Sequence, residues 1–67
     1  MDGRDLAELV AARGKVVDAI AHLGKIDERL TDPTERAEVR YFMVSLDNWL
    51  TDPRDGLVPY IKNLLGG

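Results

Sequence analysis

The tetrapeptide Leu-Thr-Asp-Pro occurs twice in this chain, at Leu30–Pro33 and Leu50–Pro53, twenty residues apart. Each copy closes one apolar run and opens the next. An aspartate carboxylate accepts hydrogen bonds from the free amides of a helix's first turn. Proline fits the first helical position, where its missing N–H costs nothing. The two copies therefore predict helix starts and divide the chain into three helical segments. The flanking sequences do not match, and a solenoid needs at least three similar units. The recurrence reads as one capping solution used twice.

In the first segment Leu6, Leu9, Val10, Val16, Val17, Ile20, Leu23, Ile26 and Leu30 recur at steps of three and four, the period of an amphipathic helix. Asp2 or Asp5 can cap its start. Gly14 and Gly24 each cost about 1 kcal/mol inside a helix relative to Ala. No Ser, Thr, Asp or Asn stands just after Gly14 to start a new helix, so one continuous helix over about residues 4–30 is expected rather than a break at Arg13-Gly14. The glycines would then allow close approach of another helix. In the second segment, expected over residues 33–50, Asp32, Pro33 and Glu35 make a close relative of a capping box. Val39, Phe42, Met43, Leu46, Trp49 and Leu50 follow as one wide apolar stripe, with Ala37, Tyr41 and Val44 as a second, smaller face. A helix that is apolar on two sides commonly touches two neighbours. Asp52-Pro53-Arg54-Asp55-Gly56 reads as a turn or a helical start, and Pro59 limits any helix to one that begins close by. The third segment, expected over residues 57–65, carries Leu57, Val58, Ile61, Leu64 and Leu65 and stops at Gly66-Gly67. At under about 12 residues it should persist only by docking.

Composition narrows the function more than it identifies it. A single domain of 67 residues is near the lower limit for a self-sufficient apolar core, and chains this short commonly rely on a staple, a metal or a partner. The absence of Cys excludes disulfides and thiolate metal sites, and His22, the only histidine, cannot build an imidazole site alone. The net charge of −3 and the mixing of both signs argue against binding a phosphate backbone. Arg36 and Arg40 stand one turn apart, but Glu35 and Glu38 neutralise them. No stretch approaches the roughly 20 apolar residues of a membrane span, and Met1–Asp5 lacks a signal-peptide pattern, so a cytoplasmic setting is expected.

No constellation points to catalysis. Ser45 and His22 are the sole serine and histidine, with no sign that they meet. The carboxylates Asp27, Glu28 and Asp32, and the pair Asp52 and Asp55, lack the spacing of a calcium loop and are better used as caps. Neither a metal, a cofactor nor an enzymatic activity is expected.

These readings predict an all-α fold: a long first helix antiparallel to the second, with a short third helix across them, in a homo-oligomeric bundle. Hydrophobic residues make up 45% of the chain, more than one hairpin easily covers. Each side chain left in water forfeits about 1.5–3 kcal/mol of burial, and a symmetric dimer removes that cost most simply. The expected function is a self-associating, non-enzymatic protein-interaction module. Its interface candidates are Tyr41, Val44, Trp49, Phe42, Met43 and Arg13. Phe42, Met43 and Trp49 fit the core stripe equally well, whereas Tyr41 lies opposite it and is the stronger interface candidate. Arg13 interrupts the first apolar stripe and could pair with Asp27 or Glu38, or reach out to solvent. A second reading is an oligomer binding a small ligand between subunits through His22, Arg13 or Arg40. Nucleic-acid regulation ranks third.

Overall fold

A computed structural model describes residues 2–66 and contains three helices, α1 (Gly3–Arg29), α2 (Pro33–Thr51) and α3 (Leu57–Gly66). Among the described residues there is no strand. Gly67, half of the expected C-terminal stop, lies outside them. Helix α1 runs unbroken through Gly14 and Gly24. Asp2 caps its start by accepting the Asp5 N–H at 3.0 Å. Its stripe of Leu6, Leu9, Val16, Ile20 and Leu23 is half-buried, and no residue of α1 is fully buried.

Helix α2 returns antiparallel along α1. Arg36 and Arg40 near its start reach Asp27 near the end of α1, and a Cβ built on Gly24 would stand 3.6 Å from the Met43 methyl. Val39, Met43, Leu46 and Leu50 make the α2 side of this seam. Phe42 and Trp49, expected in the same stripe, are instead 53% and 52% exposed. They stand roughly 100° around the helix from the seam, and a single neighbouring helix covers an arc no wider than that. The sequence pattern is a stripe wider than α1 covers, and α3 buries only its end, at Leu50.

The two Leu-Thr-Asp-Pro junctions differ. At the first, Leu30 ends α1, and Asp32, two residues later, caps α2 by accepting the Thr34 N–H at 3.1 Å. At the second, Asp52 does both jobs. Its N–H bonds the Asn48 carbonyl to close α2, while its carboxylate accepts the Arg54 N–H at 2.8 Å and the Asp55 N–H at 3.2 Å. The second copy therefore does not begin α3, contrary to the expectation that both copies mark helix starts. It makes a single turn that stops at Gly56. Continuing the helix would require an N–H from Pro59 and would drive its ring into the Asp55 carbonyl. Helix α3 begins afresh at Leu57, placing Pro59 in its first turn, where no N–H is needed.

The core lies at this corner. Leu50, Leu57 and Ile61 are the buried hydrophobic residues, with Leu6, Leu9, Val16, Ile20 and Val58 packed against them. Helix α3 thus touches both other helices. Gly56 is buried too, and a Cβ there would lie 2.5 to 2.7 Å from the Asp52 and Leu50 backbone. Only glycine permits so close a crossing.

Candidate interaction surfaces

The molecule measures 46 × 21 × 12 Å. Two stacked helix layers, with axes about 8–10 Å apart and backbone cylinders adding about 5 Å, would be thicker than this smallest dimension. The three helices form one layer, and both of its faces meet solvent.

On the outward arc of α2, Tyr41 is 69% and Val44 58% exposed. The Tyr41 and Phe42 rings meet edge to face with centroids 6.0 Å apart, and with Ala37 they border a shallow concavity of about 500 Å³. Trp49 opens onto a second hollow of about 290 Å³ against Arg54, Leu57, Tyr60 and Asn63. Met43 differs from the other α2 candidates, because it is half-buried in the α1–α2 seam.

Arg13 is half-buried on α1. Asp27, a candidate partner for it, is instead held by α2: Arg40 Nε donates to both carboxylate oxygens, at 3.2 and 3.4 Å. Arg36 Nε stands 3.6 Å from the same carboxylate, buried and just beyond hydrogen-bond reach. These pairs pin the turn end of the hairpin, beside the Leu30–Pro33 junction, where no side chain is fully buried. Asp27 is half-buried, but both arginine side chains reach solvent, so each pair is worth about 1 kcal/mol.

His22 and Ser45 are both exposed, on the arcs of α1 and α2 that turn away from the seam. Among the described residues no three of His, Asp and Glu converge on a point that could hold a metal ion. The carboxylate with a displaced pKa is Asp52, held below its ordinary value first by the Arg54 N–H and then by the Asp55 N–H. That shift belongs to a structural turn. No described helix is long and apolar enough to cross a membrane. Gly56, on which the corner turns, falls in the Asp52–Gly56 stretch that the sequence reads as a turn or a helical start; its close approach to the Asp52 and Leu50 backbone is what the sequence does not reveal.

Comparison with protein-family models, curated proteins and solved structures yields no match for this chain.

Proposed function

We propose that this chain is a non-enzymatic helical interaction module that associates with itself to complete a two-layered fold. The observation that carries this reading is the surface left in water. A compact protein of 7.5 kDa exposes about 4,200 Å² by the scaling of surface with mass. This chain exposes 5234 Å², about 1,000 Å² more. A standard protein interface buries about 800 Å² on each partner, so the excess is the area that one such contact removes. The radius of gyration agrees: 14.6 Å, against about 11 Å for a compact chain of this length. Stable domains pack at least two layers around a core, and a second layer is what this one lacks.

Sedimentation velocity or light scattering over a micromolar concentration series tests the proposal. The expected result is a dimer or higher oligomer whose melting temperature rises with concentration. A monomer that unfolds cooperatively at every concentration would defeat it.

A further inference from the structure

Helix α1 has a second stripe, a quarter-turn away from the seam that faces α2. Ala7, Val10, Gly14, Val17 and Ala21 follow one another at steps of three and four, and all five are exposed. The stripe contains no charge. The opposite flank of the helix, by contrast, mixes Ala12, Ala19 and Ile26 with Glu8 and Lys15. At Gly14 no atom would lie within 4 Å of an added Cβ, so the helix backbone itself is bare there.

The order of these residues reads the same in both directions: Ala, Val, Gly, Val, Ala. Two antiparallel copies of α1 crossing at Gly14 would set Ala7 opposite Ala21, Val10 opposite Val17, and Gly14 opposite itself. A two-fold contact needs this self-complementarity, because each residue must face the partner that its own counterpart faces. Small residues at the crossing let the backbones approach while the valines interdigitate on either side. Helix α2 extends the same face of the layer. In an antiparallel pair, residues rotated in the same sense from the seam emerge on one side, and on α2 these are Ala37, Arg40, Val44, Asp47 and Thr51, a mixed rim beside the uncharged α1 stripe.

We propose that this face is covered by a second copy of the chain, with α1 antiparallel to α1 and the two-fold axis beside Gly14. The inference rests on the self-association reading and adds to it a face and a register. The occupant is a second copy for two reasons: the stripe is complementary to itself, and the surface excess of about 1,000 Å² matches one partner's share of a standard interface.

The chain has no cysteine, so engineered thiols report cleanly. Gly14→Cys and Ala12→Cys place one thiol each on the two flanks of α1, both exposed, with helicity checked by circular dichroism. A disulfide forms only where the Cβ atoms come within about 4.5 Å. Under mild oxidation at tens of micromolar, Gly14→Cys should convert most of the chain to a covalent dimer. Ala12→Cys should yield at least about tenfold less, because its Cβ points to the far flank. In the cysteine-free background, Val17→Glu should raise the dimer dissociation constant about tenfold or more, by desolvating a charge in the contact. A dimeric wild type with no Gly14→Cys crosslink, or with equal crosslinking at both positions, would overturn this face and register but leave self-association standing. A monomeric wild type at the same concentration would overturn both.

Discussion

The turn between α1 and α2 and the corner between α2 and α3 open on the same residues and the same bond, yet they build different structures. The Arg36 N–H reaches the Asp32 carbonyl at 3.0 Å, and the Gly56 N–H reaches the Asp52 carbonyl at 2.8 Å, each a first helical hydrogen bond. After the first junction, Glu35 to Tyr41 are able helix residues and the helix runs on to Thr51. After the second, Gly56 and Pro59 end it within one turn. The corner also collects the buried hydrophobics Leu50, Leu57 and Ile61, whereas the α1–α2 turn relies on Asp27 and two arginines. A capping signal thus states where a helix can begin. The residues that follow state whether it continues, and burial states how firmly the junction is held.

The largest way to break this contrast is at the corner's core. Ile61→Ala removes the most buried side chain among the described residues, 2% exposed, and should cost about 2–5 kcal/mol. Urea unfolding followed by circular dichroism should then show α3 undocked or the whole chain unfolded. The same substitution at Leu23, half-buried toward the α1–α2 turn, should cost less.

Gly56→Ala comes next. Its methyl would enter space already held by backbone, which cannot step aside as a side chain can, and a loss of about 1–3 kcal/mol is expected. Gly14→Ala, in open space on the same chain, should instead stabilise the helix by up to about 1 kcal/mol when measured at concentrations where the chain is dissociated. Thermal melts of the two variants should therefore shift in opposite directions.

The two caps sharpen the comparison on a finer scale. Asp52→Ala strands two amides, whereas Asp32→Ala strands one, so the former should lower the melting temperature further. The Asp52 carboxyl titrates below its ordinary value in the folded chain. Its contribution is complete above the ordinary carboxylate pKa, near about 3.9, and is lost as pH falls through the lower folded value. Asp52→Asn should flatten that part of the acid denaturation curve, and an unchanged curve would show that other carboxylates govern it.

Smallest of all should be Arg40→Ala near the α1–α2 turn, about 0–1 kcal/mol and diminishing with added salt. A loss comparable to Ile61→Ala would mean that charge, not burial, holds the hairpin together.

Much of this architecture is legible in residue spacing alone. The three and four spacing of Leu6, Leu9, Val16, Ile20 and Leu23 carries the α1 seam. The lack of a capping residue after Gly14 is the reason to expect an unbroken helix there. Asp32, Pro33 and Glu35 mark the start of α2. The interface candidates are harder to sort. Tyr41 and Val44 stand opposite the seam and are exposed, but Phe42, Met43 and Trp49 share one apolar stripe in the sequence. Only Met43 of these three turns toward α1, because the stripe is wider than the arc one helix covers.

Helix positions, their caps and their apolar faces are local properties, set by residues three or four places apart, and the amino-acid order determines them by itself. Which Leu-Thr-Asp-Pro turns the chain back and which bends it into a corner, and which aromatic rings stay in water, depends on what lies across the contact. That belongs to the tertiary structure, since burial is a relation between surfaces that the chain brings together only by folding.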